Sequence, residues 1–263
     1  VIPDQFRGYN YIEMIESICP QVPQLRKVFV VGKEVPQSMV SLSRITQQPI
    51  EDKYPKNYLE KMRYKPTEVS LINSTTGTAG LPKFAEYPMC ARLTVGKGVI
   101  DALHINSDDV IAALSPAPTG PNILVYFVAP IAADKVVFLE RFTAEEALKL
   151  LQKERVTIAC VVPAHLALML QHPTLERYDL SSLRALWCTG SELPYQVGKE
   201  FEDRTGAKVV NNYGGVDFGG IVSTGVNDHR DVRLLTVGVP RSWTEIKLVD
   251  EAEQEVLRGE VGE

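Results

Sequence analysis

Between two helix-like segments the chain contains the run Val156-Thr157-Ile158-Ala159-Cys160-Val161-Val162. Such a run of β-branched and small residues is typical of a strand that is buried on both faces of a parallel sheet. Before it, Thr143-Ala144-Glu145-Glu146 is a capping box that predicts a helix ending at residues 153–155. After it, Pro163 begins a second predicted helix through Met169. Helix, strand and helix in this order predict an α/β fold with parallel strands.

The same alternation continues on both sides of this segment. Residues 194–204 are predicted to form a third helix, residues 208–211 a further short strand, and residues 27–32 a strand near the start. From about Phe218 the sequence is richer in Gly, Asp and Val, and the alternation over 244–249 predicts antiparallel strands. We therefore predict layered parallel sheets with flanking helices, plus a small antiparallel β-subdomain near the C-terminus.

Length and composition indicate a chain that can bury a large core. The chain has 263 residues, 44% of them hydrophobic, and a net charge of −5 with a pI near 5.5. This acidic balance argues against a nucleic-acid surface, and no apolar run reaches the roughly 18–20 residues of a membrane span. We expect a cytoplasmic protein. The N-terminal residues 1–4 are neither a signal peptide nor a natural translation start, so we expect that the chain is cut there.

Cysteines and histidines form no reactive constellation in the sequence. There is no CxxC pair and no nearby histidine that would complete a zinc site, and no serine or cysteine elbow that would complete a triad. Cys160 and Cys188 lie within apolar runs and are predicted to be core residues. The residues considered are Cys19, Cys90, Cys160, Cys188, His104, His165, His172 and His229.

A glycine-rich segment, Thr76-Gly77-Thr78-Ala79-Gly80-Leu81-Pro82-Lys83, has the composition of a phosphate-binding loop. Glycines let successive N–H groups turn inward around an anion, the threonines add donors, and Lys83 adds a positive charge. The segment is not the P-loop of nucleotide hydrolases, because Pro82 intervenes and Phe84 follows the lysine. The alternative is a surface turn rich in threonine and glycine.

Four segments together resemble the adenylate-forming enzymes, the superfamily of acyl- and aryl-CoA synthetases, peptide-synthetase adenylation domains and luciferases. Residues 76–83 resemble the family's [ST]-G-[ST]-T-G-x-P-K loop, and residues 188–194 its GGAPLP turn. Residues 211–217 are similar to its N-x-YGxTE segment, and residues 237–263 to its G-x-P…E-x-K-I-V-D…GExGE run. The four occur in the family's order, and the resemblance covers residues 70–263 well and the first seventy weakly.

The resemblance implies a site for ATP and Mg²⁺. The loop holds the β- and γ-phosphates, Tyr213 lies against the adenine, and Asp217 takes the place of the glutamate that contacts the metal. Lys83 and Asp217 are the implied catalytic residues. The alternative for Tyr213 is a half-buried core tyrosine. The implied nucleotide-binding residues are Thr76, Gly77, Thr78, Ala79, Gly80, Lys83, Gly190, Ser191, Glu192, Asn212, Tyr213, Gly214 and Val216.

The acid-binding pocket is expected to involve residues 115–127, which offer mainly apolar and aromatic surface. This composition suits a small hydrophobic or aromatic acid better than an amino acid, because no acidic residue is available there to pair with an ammonium group. Tyr126 and Phe127 can equally be core residues. Gly214, Gly215 and Gly219 can simply mark turns. The implied substrate-binding residues are Asn122, Tyr126, Phe127, Gly214, Gly215 and Gly219.

The chain departs from the family pattern at three places. Val216 replaces a threonine, Phe84 replaces the glycine after the loop lysine, and Pro88-Met89 replaces the usual aromatic or histidine. These changes fit either a subfamily variant or a weakened enzyme.

The resemblance also implies a domain organisation. Residues 1–217 form the α/β portion of the large adenylation domain, incomplete at its N-terminus, and residues 218–263 begin the β-subdomain. By this resemblance we expect the C-terminal lid domain with its lysine to be absent from these residues. The implied function is ATP-dependent activation of a carboxylic acid as acyl-AMP, followed by thioester formation with CoA, with a homodimer as a candidate assembly. The alternative is a non-catalytic module that binds a nucleotide or an acyl-adenylate.

Overall fold

The computed structural model describes residues 1–75, 80–115, 123–132 and 135–262, and of Ile221 the backbone alone. The chain divides into two compact units, Val1–Arg63 and Tyr64–Glu263. No feature of the sequence pattern predicted a boundary between residues 63 and 64. The β-subdomain boundary expected after residue 217 stays a prediction.

The first unit contains short elements around a three-stranded parallel sheet of order β1-β4-β5. The strand expected over residues 27–32 is confirmed as β4, whose Val30 is fully buried. Short 3₁₀ turns occur at Cys19–Gln21, Ile50–Lys53 and Tyr58–Met62. The strands and helices are β1 Ile2–Pro3, β2 Gln5–Phe6, β3 Tyr9–Asn10, α1 Tyr11–Ile18, β4 Phe29–Val31, β5 Val40–Ser41 and α2 Leu42–Thr46.

The second unit is built on a seven-stranded sheet of order β14-β13-β12-β11-β10-β8-β9. Strands β8 to β12 pair in parallel, and β13 and β14 add antiparallel strands at one side. A separate antiparallel hairpin, β6 and β7, precedes it. The elements are β6 Val69–Ser74, β7 Phe84–Pro88, α3 Met89–Leu103, β8 Val110–Ala113, the π-helix Leu124–Val128, α4 Ala129–Ala132, β9 Lys135–Phe138, α5 Ala144–Lys153, β10 Ile158–Val161, α6 Pro163–Leu170, β11 Ala185–Cys188, α7 Tyr195–Thr205, β12 Lys208–Gly215, β13 Gly219–Ser223, α8 Arg230–Leu235 and β14 Val239–Pro240.

The central strand β10 explains the core. All four of its residues are buried, and successive side chains point to opposite faces of the sheet. Ala159 and Val161 pack in the cluster formed with helices α5, α6 and α7. Ile158 and Cys160 pack in the cluster formed with α3 and the π-helix. The predicted parallel sheet with helices on both faces is therefore confirmed.

Buried thiols agree with the structural role expected for two cysteines. Cys160 and Cys188 have no exposed surface. Burial raises the pKa of Cys188 to about 12 and also raises the pKa of Cys160. A thiol that resists ionisation is a poor nucleophile, so both residues act as small core side chains.

The helix α5 begins as predicted, but its capping box is only half formed. The Thr143 hydroxyl accepts a hydrogen bond from the Glu146 N–H at 3.2 Å. The Glu146 carboxylate instead bonds the Lys149 ammonium at 3.3 Å, one turn further along. The cap therefore depends on Thr143.

The region after residue 218 differs in part from the prediction. Strands β13 and β14 are antiparallel as expected, but residues 244–249 form no strand, and Val249 makes only an isolated bridge with Glu255. Ile246 and Leu248 remain 42% and 49% exposed. Alternation produces a strand only where a neighbouring strand accepts its hydrogen bonds and a second layer covers its apolar face. Over the residues described, the segment 244–249 has hydrogen bonds to 255–256 at its end only, and its Ile246 and Leu248 side chains stay exposed.

Candidate active site

The predicted phosphate loop connects the two strands of the hairpin β6–β7. The last strand pair joins Ser74 to Phe84. Beyond it, the Thr75 N–H donates to the Lys83 carbonyl and the Lys83 N–H donates to the Thr75 hydroxyl, both at 2.9 Å. Lys83 thus stands at the base of the connection, and its side chain is exposed. Gly80 is described, whereas Thr76, Gly77, Thr78 and Ala79 lie outside the described residues.

Helix α3 holds the base of this hairpin. Its first amides have no partner within the helix, so they require acceptors elsewhere. The Met89 N–H donates to the Glu68 carbonyl at 3.1 Å, and the Cys90 N–H donates to the Pro66 carbonyl at 2.8 Å. The start of α3 is therefore fixed to the segment that leads into β6.

A cleft of about 760 Å³ lies where the sheet strands β11 and β12 end. Strand β12 continues past its last pair with β11, which joins Cys188 to Asn211. This is the edge of a parallel sheet at which ligands bind in open α/β folds. The cleft brings together six residues predicted for the nucleotide, Gly190, Ser191, Glu192, Asn212, Tyr213 and Gly214. Residues that the sequence analysis did not select also line it, namely Leu193, Pro194, Tyr195, Asn211, Leu234, Leu235, Thr236 and Val237.

Two consecutive asparagines organise the cleft. The Asn212 amide donates to the Thr189 hydroxyl at 2.9 Å, while the Asn211 amide donates to the Thr236 carbonyl at 3.0 Å. Strand β12 is thereby tied both to the turn after β11 and to the segment after α8. The Asn212 side-chain oxygen is buried and accepts no hydrogen bond from the part of the chain that is described. Because an unpaired buried acceptor favours a donor, this atom fits a ligand that carries N–H groups.

Tyr213 presents an accessible ring beside these asparagines. Its side chain is 54% exposed, and its ring centroid lies 5.7 Å from that of Phe218. An accessible aromatic face at the edge of a cleft can stack on a planar ligand.

Asp217 lies on the tight turn between β12 and β13. Gly215 and Gly219 form the last strand pair, so residues 216–218 make the turn. Gly219 has φ +78°, which favours glycine. At Gly214 a Cβ atom would lie 2.4 Å from the Gly219 carbonyl oxygen, so the two strands approach closely only because no side chain intervenes.

The Asp217 carboxylate is exposed and accessible to a cation. Among the described residues no group of three or more His, Cys, Asp or Glu side chains is placed to hold a metal. A single carboxylate suits Mg²⁺, which keeps several waters and is commonly held by one or two carboxylates together with substrate phosphates. The donor set therefore fits Mg²⁺ bound together with ATP.

Tyr87 joins the β6–β7 hairpin to the Asp217 turn. Its hydroxyl donates a hydrogen bond to the Val216 carbonyl. Burial, and then the negative charge of Asp217, raise the pKa of Tyr87. The hydroxyl therefore stays protonated at neutral pH and remains a donor. Nothing in the resemblance or in the local sequence pattern indicated this contact.

The segment expected to line the acid pocket is partly described. Phe127 is buried in the π-helix, with its ring centroid 5.7 Å from that of Tyr87 and the Arg92 guanidinium 5.4 Å from its own centroid. Tyr126 is more exposed, and its carbonyl accepts from Arg92 at 2.9 Å. Phe127 is thus a packing residue that touches the site through Tyr87. Asn122 lies outside the described residues.

Comparison with known proteins agrees with this geometry. Residues 9–263 match the family described as AMP-binding enzyme. The chain is 28% identical, over its whole length, to 2-hydroxy-7-methoxy-5-methyl-1-naphthoate–CoA ligase of Streptomyces carzinostaticus, of which it covers 48%. It is also 28% identical, over 99% of its length, to medium-chain fatty-acid–CoA ligase of Escherichia coli, of which it covers 45%. The chain therefore spans about half the length of the curated relatives it matches.

A solved structure supports the fold. The crystal structure of the anthranilate CoA ligase AuaEII in complex with anthranoyl-AMP superposes with a TM-score of 0.81 and 23% identity, covering 96% of this chain and 48% of that one. No helix in the described part of the chain is long and apolar enough to cross a membrane.

Proposed function

Because this chain belongs to the AMP-binding enzyme family, we propose that it activates a carboxylic acid as an acyl-AMP at the expense of ATP and passes the acyl group to CoA. The observation that carries the proposal is the convergence of the predicted nucleotide segments on one cleft. Gly190, Asn212 and Tyr213 line the cleft, and β12 continues from it directly into the Asp217 turn. Tyr87 then connects that turn to the hairpin that carries Lys83.

The chain's own residues have distinct tasks in this reaction. A carboxylate oxygen attacks the α-phosphorus of ATP, and pyrophosphate leaves, so two anions must be held in line. The Lys83 ammonium attracts the β- and γ-phosphates, and Tyr213 stacks on the adenine. Asp217 holds Mg²⁺, which when bound neutralises negative charge on the phosphates. The buried oxygen of Asn212 accepts from an N–H group of the nucleotide.

The acid is proposed to be small and hydrophobic or aromatic. Tyr126 is partly exposed next to the packed Phe127, so it offers aromatic surface and adds no carboxylate that would pair with an ammonium group. The relatives in the comparison are named for naphthoate and fatty-acid ligation to CoA, which supports both the class of acid and CoA as the acceptor.

A second candidate function is a module that binds nucleotide or acyl-adenylate without turnover. The observation that favours it is Val216, whose side chain offers no hydroxyl where the family has a threonine. Its carbonyl is already used by Tyr87. One donor to the reacting phosphate is then missing or supplied by another residue.

Acid-dependent exchange of labelled pyrophosphate into ATP tests the proposal. The full-length protein is assayed with a panel of aryl acids, fatty acids and amino acids, while ATP binding is followed separately. We expect exchange with hydrophobic or aromatic acids and none with amino acids. ATP binding without exchange for any acid would establish the binding module instead.

A further inference from the structure

Tyr87 makes contacts with two parts of the proposed site and belongs to a third. It lies on β7, directly after the predicted phosphate loop. Its ring packs on Phe127 of the π-helix, and its hydroxyl donates to the Val216 carbonyl in the turn that carries Asp217. One side chain therefore connects three segments: the β6–β7 hairpin (the phosphate hairpin), the π-helix at the end of the acid-pocket segment, and the turn at residues 216–218 that carries Asp217.

The Asp217 turn needs such an external support. Residues 216–218 lie beyond the last pair of β12 and β13, so the strand ladder does not hold them. The flanking residues Gly214, Gly215 and Gly219 contribute no side chains, and glycine leaves the backbone more conformational freedom than any other residue. A hydrogen bond to the Val216 carbonyl acts on the peptide group that immediately precedes Asp217.

We propose that Tyr87 is a positioning residue whose hydroxyl fixes the Asp217 carboxylate relative to the phosphate hairpin, so that Mg²⁺ and the ATP phosphates are held together. The functional half of this inference rests on the function proposed above. In this proposal Tyr87 contacts neither the carboxylate oxygen nor the α-phosphorus that react. It acts through the backbone of the turn.

The two halves of the side chain have separable tasks. The ring packs on Phe127, which in turn lies beneath Arg92, and so it supports the acid-pocket segment. The hydroxyl reaches only the turn among the contacts described. Tyr87→Phe therefore removes the support of the turn and keeps the packing, whereas Tyr87→Leu removes both.

The test compares Tyr87→Phe and Tyr87→Leu with the wild type in the full-length protein. Loss of one hydrogen bond that holds a ligand group should raise the Mg²⁺ concentration for half-maximal pyrophosphate exchange about three- to tenfold in Tyr87→Phe. The KM for the acid should stay within about twofold of wild type, because the ring remains. Tyr87→Leu should raise the KM for the acid as well. Tyr178→Phe, at a partly buried tyrosine that packs against the cluster of α5, α6 and α7, is the matched control.

Amide hydrogen exchange without ligands provides a readout that does not depend on activity. Residues 213–219 should exchange faster in Tyr87→Phe than in wild type or Tyr178→Phe, with melting temperatures unchanged. Unchanged protection of these amides would overturn the positioning role, and so would an unchanged Mg²⁺ requirement in an active enzyme. If the wild type itself supports no exchange with any acid, the proposed function fails, and amide protection alone then decides whether Tyr87 holds the turn.

Discussion

Lys83 and Asp217 carry the opposite charges of the proposed site, and both are exposed on connections between strands. Lys83 makes its described hydrogen bonds through its backbone, so its ammonium contributes little to the fold. Replacing Lys83 by alanine removes the charge that we propose meets the phosphates.

We expect Lys83→Ala to slow pyrophosphate exchange on the order of a hundredfold to a thousandfold, by analogy with the loss of one transition-state donor. The melting temperature should stay unchanged. Lys149→Ala removes an exposed lysine that, within the described ranges, pairs only with glutamates of its own helix, and it should leave the rate unchanged. An exchange rate for Lys83→Ala equal to wild type would show that residues 76–83 form only a surface turn and not a phosphate-binding loop.

Asp217 distinguishes a metal ligand from a turn residue. Asp217→Asn keeps the shape and removes the charge, so exchange should fall steeply and recover partly as Mg²⁺ is raised. Asp217→Glu restores the family's residue and should be tolerated if the metal can move by about one C–C bond. Pyrophosphate exchange measured at increasing Mg²⁺ concentrations in both variants gives their Mg²⁺ dependence. Asparagine serves as well as aspartate in a turn, so full activity of Asp217→Asn would eliminate the metal role.

At the scale of elements, a buried ion pair fixes helix α8 beside the cleft. The Glu202 carboxylate of α7 lies 2.6 Å from Arg233 and 2.8 Å from Arg230, and it accepts from the Val209 N–H at 2.7 Å. Glu202 and Arg233 are both buried. Leu234 and Leu235 of the same helix line the cleft, so this pair also shapes the proposed site.

Glu202→Ala should lower the free energy of unfolding by about 3–5 kcal/mol, because it leaves the Arg233 guanidinium buried without a carboxylate. Urea denaturation measures the change. Glu200→Ala is the matched control, since Glu200 lies on the same helix but pairs with Arg204 in solvent. Similar losses in the two variants would contradict the role given to the buried pair.

A second ion pair joins β8 to the start of β11. Burial by itself raises the pKa of Asp109, but hydrogen bonds from Arg184, Thr157 and the Asn106 N–H outweigh it, and the pKa lies below its ordinary value of 3.8. A carboxyl group with a lowered folded pKa stabilises the fold above its unfolded pKa. That stability is lost as the pH falls through the folded pKa.

Asp109→Asn should therefore cost about 1.5–3 kcal/mol of unfolding free energy at pH 7, the range for hydrogen bonds to charged groups. The difference from wild type should shrink as the pH falls below about 4. This difference is obtained from the free energies of unfolding of both proteins measured from about pH 2.5 to about pH 7. Asp108→Asn, at an exposed aspartate, is the control. A difference that is constant across that range would contradict the linkage.

For the molecule as a whole, local sequence patterns predicted many of the helices and strands, but they did not predict contacts between residues distant in the sequence. The strand over 156–162 and the helices on either side were predictable because a buried parallel strand has no polar face. The segments that converge on the cleft were predictable from their resemblance to a family.

The parts that could not be predicted depend on partners distant in sequence. The bond from Tyr87 to Val216 joins residues 129 positions apart, and no periodicity encodes it. No helix was predicted over α8, and the placement of its Leu234 and Leu235 in the cleft accompanies the pairing of Arg233 with Glu202, 31 positions earlier in the chain. The alternation over 244–249 predicted a strand because sequence gives the pattern of a strand but not whether a partner lies beside it.

The proposed activation of the acid as an acyl-AMP can be tested by following an oxygen atom from the acid to AMP. The full-length protein is supplied with ATP, Mg²⁺, CoA and the acid that exchanges fastest, labelled with ¹⁸O in its carboxylate. If the carboxylate oxygen bonds to the α-phosphorus and the thiol then attacks the carbonyl carbon, the bridging oxygen leaves with the nucleotide. We expect AMP that carries one ¹⁸O atom, formed together with the CoA thioester. ADP with label in inorganic phosphate, or thioester formed with unlabelled AMP, would contradict it.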